Sequence, residues 1–446
     1  MLQMKKRSIL AGSIISALLV GCGGGSGSSS DAPASIASPN VNGTPSLTSV
    51  STVTSTSSSS DIVDCAKAFL EKRSCDLSVI QPIGVDGTDV TIEQIESRLV
   101  VSHSWMAESF IAALREINDQ DLLNLFKPLN SIVLSYDVRP SFYNTATASM
   151  YIDPRYVWRT KSEWDSIYQQ DDYRKNFQTE FKFDKAQRYV EQNSYNYVTY
   201  SNTYNATANY QRGAEHVAPG LFRLLAHELA HANDFLPASD LIQTPSSGTI
   251  SSYLQKLQTL NRDLFDSNPL TSTTLIDAAQ VAFRGKEMTD DVRNLTGEAA
   301  GIEFVSDKAA AFYSYSHPAE DVAMLFEAYM MYKKYNAISD FAFVSIPQSS
   351  NPSCDEWKIQ WGQRSRLSDQ GVQDRAVFVA NRILSKSSAD IRMELANLPD
   401  NPSAFAQGTG WCDSRQSGVM AASRSVQWED NTVVIDDLRY LEDFEH

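Results

Sequence analysis

The alternation of apolar and polar positions divides the chain into zones of different character. Lys5, Lys6 and Arg7 precede an apolar run from Ser8 to Val20, which is too short to span a bilayer and predicts a cleaved export signal over residues 1–21. From Cys22 to Ser60 the apolar positions almost vanish into Gly, Ser and Thr, the composition of a flexible tether. From about Asp61 to His446 ordinary globular patterning returns, with no internal repeat. Within that span, "SIVLSYDV" (131–138) and "TASMYID" (147–153) alternate as strands do. Helical periodicity marks 221–236, 318–335 and 369–384. The charged and aromatic segment 161–200 reads as a helical insertion that could wall a cleft, and the chain after Cys354 reads as further helices. These elements predict an α+β fold, mainly helical, with a small mixed sheet ahead of the helix at 221–236. One enzyme-sized domain with two lobes is expected over 61–446, its core at about 130–335 and a helical region at about 336–446.

The helix at 221–236 carries chemistry. Pro219-Gly220 is expected to break the chain before it, and "LLAHELAHANDF" (224–235) then places His227 and His231 four residues apart, with Glu228 directly after the first. At 100° per residue His231 lies about 40° from His227 and Asp234 about 20° to the other side. Phe222, Leu225, Leu229, Ala232 and Leu236 collect on the opposite face. One face is therefore core and the other is polar. Two imidazoles one turn apart can reach a single Zn²⁺, and Glu228, about 100° around, stands where it can accept a proton from an attacking water. Such a site needs a third protein ligand. A histidine six residues after His231 is ruled out, because Pro237 occupies that position. His103, His216, His317 and His446 have no suitable spacing. Two carboxylates remain: Glu320, near the start of the helix that Pro318 opens and that buries Val322, Leu325, Phe326 and Tyr329, and Glu303 in "GIEFVSD" (301–307). Glu320 is the stronger candidate.

Charge and cysteine content narrow the setting. The net charge of −16 becomes more negative once Lys5, Lys6 and Arg7 leave with the signal, and such a surface repels phosphate backbones, which excludes nucleic acid as a partner. Leu19-Val20-Gly21-Cys22 resembles the lipobox of bacterial lipoproteins. That resemblance implies cleavage before Cys22, lipid attachment there and residence in the bacterial cell envelope, with Gly23 favouring the outer membrane where the cell has one. The four remaining cysteines allow three pairings, of which Cys65–Cys75 and Cys354–Cys412 are favoured by local closure in an oxidising compartment.

The segment "Y-x-x-x-H-P-A-E-D-V-A-x-L-F" (313–326), together with H-E-x-x-H-A-x-D (227–234), resembles the glutamate-zincins, or gluzincins, and the catalytic domain of anthrax lethal factor. The likeness covers the helix at 221–236 and the segment 304–330. It implies a zincin-like two-lobed metallopeptidase with one zinc per chain, held by His227, His231 and Glu320, and Glu228 as general base. It also implies that Tyr313, seven residues before Glu320, donates to the developing oxyanion, with Tyr315 as the alternative. Asp234 and Asp321 would support the site, orienting a ligand imidazole or bracing the glutamate. In that arrangement an edge strand before the metal helix pairs with the peptide; 147–153 is the candidate, an interior strand being the alternative. His317 and Met324 depart from the family pattern, which has Asn and a second glutamate there. The expected activity is zinc metalloendopeptidase action on a peptide or protein substrate. The rival readings are a zinc-binding lipoprotein without catalysis, for which Glu228 would have no use, and an envelope or adhesion module.

Overall fold

Residues 44–55, 57–169, 177, 180–200, 202–204, 211–349 and 352–415 are described by the structure, a computed structural model. Cys22, the export signal and most of the tether lie outside the described residues. The folded chain begins earlier than the tether boundary at Ser60 predicts. Leu47 and Val50, the first large apolar residues after Val41, are buried, and Ser46 donates its backbone N–H and its hydroxyl to Asp137, each at 2.6 Å.

Two small sheets and a majority of helix give a mixed architecture compatible with α+β. The first sheet contains β1 (Ser51–Thr52), β2 (Leu99–Val101), β3 (Ser131–Leu134), β4 (Phe142–Asn144) and β5 (Ser149–Ile152), in the order β1-β2-β3-β5-β4. β2, β3 and β5 run parallel to one another, and the two outer strands, β1 and β4, are antiparallel to them. The sheet is thus mixed and precedes the helix that carries His227 and His231, as the alternating segments predict. The strand in the segment 147–153, β5, is interior, however, and the edges are β1 and β4. Alternate residues serve two cores. Leu99, Ile132, Leu134, Met150 and Ile152 face the main core, while Val100, Val133 and Tyr151 face a second one built from the N-terminal segment and residues 236–254.

The second sheet was not foreseen. It joins β6 (Asp184–Glu191), β7 (Ala337–Val344), β8 (Ile359–Arg364) and β9 (Ser403–Ala404) in consecutive antiparallel order. β6 falls inside the segment expected to be a helical insertion, of which only Lys161–Asp165 is a helix among the described residues. β6 is buried over Asp184–Val190 although it carries Asp184, Lys185, Gln187 and Arg188. These polar side chains hide the strand's pattern, because their charges are satisfied by other parts of the chain: Arg188 pairs with Asp340 on β7 at 2.7 Å and donates to the carbonyl of Trp411.

The principal helices are α1 (Ser104–Ile117), α2 (Ala214–Phe235), α3 (Leu260–Ser267), α4 (Thr273–Arg284), α5 (Gly297–Asp307), α6 (Pro318–Tyr335) and α7 (Gln370–Leu384). α6 is buried continuously from Ala319 to Tyr332, so it is the central helix of the main core, with no solvent face over that span. α5 meets β8 at Gly301, where any Cβ would stand 2.0 Å from Cγ of Trp361. Both favoured disulfides are present, Cys65–Cys75 and Cys354–Cys412. Among the described residues no helix is long and apolar enough to cross a membrane.

Candidate metal centre

α2 runs unbroken through Pro219, which the sequence pattern had placed ahead of the helix. The tolerance has a local cause. Pro219 is the sixth residue of the helix, just past the unpaired donors of the first turn, so its missing N–H costs a single backbone bond near the helix start. His216 closes that start by accepting the Gly213 N–H at Nδ1, 3.1 Å away. α6 opens in a similar way: His317 Nδ1 accepts the Ala319 N–H at 3.1 Å, and Pro318 occupies the first helical position. His317 is therefore a helix cap. Glu320 falls in the first turn of α6, where the helix dipole favours a carboxylate.

α2 and α6 pack against each other and bring three ligand atoms together. His227 Nε2 and Glu320 Oε2 are 3.1 Å apart, His231 Nε2 and Glu320 Oε2 3.3 Å, and the two Nε2 atoms 3.3 Å. All three residues are fully buried, as is Glu228. Donors held about 2.0 Å from a tetrahedral ion stand about 3.3 Å from one another. The three atoms thus match one face of such a tetrahedron, and two imidazoles with one carboxylate suit a borderline transition metal better than a hard, oxygen-seeking cation. The group could hold a metal ion. Glu303 is elsewhere: it accepts a hydrogen bond from Ser272 at the start of α4.

The electrostatics also call for a cation. Burial opposes a charge on His227, but Glu320 and Glu327 outweigh it and raise its pKa to about 10. Burial likewise opposes ionisation of Glu320, yet the two imidazoles hold its carboxyl far below the usual range. His231 is lowered, first by burial. One proton can bridge only one edge of this triangle, whereas an ion at its centre would engage all three corners.

Glu327 was missed by sequence reasoning. It lies seven residues after Glu320, close to two full turns along α6, and its Oε2 is 3.3 Å from His227 Nδ1. Its Oε1 accepts from Tyr189 Oη and Arg223 Nε, both at 2.9 Å. The usable signal was the position of 327 on the same helix face as 320.

The Tyr313 hydroxyl donates to Glu320 Oε1 at 2.9 Å. In this conformation it contacts the carboxylate expected to bind metal. The Phe283 ring lies 4.7 Å from the Tyr313 ring, and Lys185 Nζ is 4.5 Å above Phe283. Tyr315 turns instead toward Asp307, and burial followed by that carboxylate raises its pKa.

Of the two supporting aspartates, Asp234 is bonded away from the imidazoles, while Asp321 steadies the helix turn that carries Glu320. Asp234 accepts the Asn261 N–H and side-chain amide at 2.8 and 2.7 Å, tying the end of α2 to the start of α3. Its hydrogen bonds do not go to a ligand imidazole, and burial raises its pKa to about 6 against the pull of Asn261. Asp321 pairs with Arg375 of α7 and so braces the start of α6 from behind, without bonding Glu320. No known protein family matches the chain, and no curated protein or solved structure matches it.

Proposed function

We propose that the chain is a zinc-dependent metallopeptidase of the gluzincin type, carried on a lipid anchor at Cys22 in the bacterial envelope and acting on peptide or protein substrates there. The observation that carries this reading is the convergence of His227 Nε2, His231 Nε2 and Glu320 Oε2 within 3.1–3.3 Å, one residue away from a buried glutamate on the same helix. A zincin-like arrangement agrees with the order of parts: a mixed sheet with an outer antiparallel strand, the H-E-x-x-H helix, then the helix with the third ligand.

Zinc held by the three residues would supply the Lewis acidity that makes water nucleophilic at neutral pH and polarises a carbonyl. Glu228, which is adjacent to His227 and not among the converging atoms, takes the proton of the attacking water and passes it to the departing amine. Tyr313 exchanges its bond to Glu320 for one to the oxygen on which negative charge develops. Asp321 and Arg375 keep the first turn of α6 in place, so that Glu320 holds its register.

The second reading, a metal site without catalysis, draws on one observation, the complete burial of His227, His231 and Glu320. One variant separates the two. The purified protein is expected to hold about one zinc per chain, as a three-ligand site does, and to cleave members of a peptide library. Glu228→Gln is expected to retain the zinc, measured by elemental analysis, and to lose about 10²–10⁴ in kcat, the range of general-base contributions. Undiminished cleavage by Glu228→Gln removes the glutamate from the mechanism; a metal-loaded wild type that cleaves nothing in the library leaves the binding reading.

A further inference from the structure

We propose that Glu327 is the positioning residue for the metal site: it fixes the ring orientation and tautomer of His227. The inference rests on the metal-site reading above and assigns a part of that site that lies outside its three ligands.

A ligand histidine must present an unprotonated Nε2 to the metal, so its proton must sit on Nδ1, and an acceptor behind Nδ1 is what selects that tautomer. In this chain the group behind His227 Nδ1 is Glu327 Oε2, at 3.3 Å, and both are buried atoms without a formed hydrogen bond, so each is available to the other. The two oxygens of Glu327 divide the labour. Oε1 takes both strong donors, Tyr189 Oη from β6 and Arg223 Nε from the turn of α2 before His227, each at 2.9 Å. Oε2 is thereby left for the imidazole. Tyr189 Oη and Arg223 Nε hold the carboxylate from two different elements, which fixes its plane, and the side chain of Glu327 is 1% exposed, so water does not compete for it.

The helix geometry explains why this residue is at 327. Positions 320, 324 and 327 follow one face of α6, about 40° and 20° to either side of Glu320. Met324 is buried at the middle position and has no acceptor to offer. A glutamate one turn further on, with a side chain long enough to reach back along the face as helix side chains do, supplies the acceptor.

The test is metal affinity, read by chelator competition and by the visible spectrum of the cobalt-loaded protein. Glu327→Gln is the informative change. Arg223 and Tyr189 are both donors and will claim the amide oxygen, which turns the NH₂ group toward His227 and favours the tautomer with its proton on Nε2. The expected result is a 10–100-fold weaker affinity, the usual cost of losing such a partner, with an altered cobalt spectrum. Tyr189→Phe removes one anchor and strands no charge; it is expected to weaken binding 2–10-fold and serves as the test if Glu327→Gln does not fold, as judged by its melting transition. Wild-type affinity and spectrum in a folded Glu327→Gln variant overturn the proposal while leaving the metal site intact. The same outcome in Tyr189→Phe, where that variant carries the test, also overturns it. A wild type that binds neither zinc nor cobalt overturns both this and the function proposed above.

Discussion

Metal binding should release a proton, and the size of the effect follows from the charges around His227. In the metal-free protein Glu320 and Glu327 raise His227 to a pKa of about 10 despite burial, so this imidazole is cationic at neutral pH. His231, lowered mainly by burial, is neutral there, and Glu320 is ionised. A metal needs His227 neutral at Nε2. Binding therefore expels one proton, and apparent affinity rises with pH until His227 deprotonates by itself near pH 10. Each pH unit below that point contributes about 1.4 kcal/mol, so affinity should rise about 100-fold between roughly pH 6.5 and 8.5. The sign for folding is opposite. A raised His227 stabilises the metal-free fold fully below its unfolded pKa of about 6.5, and that contribution fades as pH climbs toward about 10. Titration calorimetry in buffers of different ionisation enthalpy counts the protons directly. A count near one at neutral pH is expected. A count near zero, with affinity flat over those two pH units, refutes the argument, because it means that the two carboxylates do not hold a proton on His227.

Two further outcomes check other parts of the site. Glu320→Ala is expected to lose metal at chelator concentrations that leave Glu303→Ala loaded, since Glu320 alone among the two carboxylates reaches the imidazoles; dialysis followed by elemental analysis decides it, and the reverse result would unseat the ligand set. Asp321→Ala leaves the buried guanidinium of Arg375 without its carboxylate, with the carbonyls of Lys308 and Asn268 still accepting from it, and is expected to cost about 3–5 kcal/mol in urea unfolding, the range for breaking one side of a buried ion pair; a loss below about 1 kcal/mol would mean that these carbonyls or water satisfy Arg375.

The parts of the fold that follow hydrophobic period were legible. β3 and β5 fall inside the two alternating segments, α7 coincides with the periodic stretch 369–384 to within a residue, and the two disulfides follow local closure. Elements whose pattern is set by distant partners were not. β6 reads as polar because Lys185 and Arg188 are buried against an aromatic ring and an aspartate far along the chain. β8 was masked for the same reason, since Arg364 on it is neutralised by Asp340 of β7 at 2.8 Å. β1 is two residues long and exists only because β2 offers it an edge, which no local pattern in a Ser/Thr tract could announce. α6 was readable as a helix but not as a buried one, since its carboxylates Glu320, Asp321 and Glu327 are buried against His227, Arg375 and Arg223.

The ligand set was more legible than its surroundings, and helix geometry explains the difference. His227 and His231 belong to one turn of one helix, so spacing alone determines that they share a face. Glu320 needed only the start of a second helix, which Pro318 marks. The supporting groups have no such local rule. Asp234 shares the helix face of the two histidines but spends its carboxylate on another element, and Asp321 is beside Glu320 in sequence, where neighbours along a helix point about 100° apart. Their partners, Asn261 and Arg375, come from α3 and α7. The residue that does stand behind a ligand is Glu327, seven positions from Glu320 and nearly in line with it on α6. Its anchor Tyr189 lies on a strand whose existence the sequence concealed. A carboxylate at 324 or at 327 would satisfy the rule of a shared helix face equally well. The choice between them depends on where Arg223 and Tyr189 place their donors, and that is a property of α2 packed against α6 and β6, not of α6 alone.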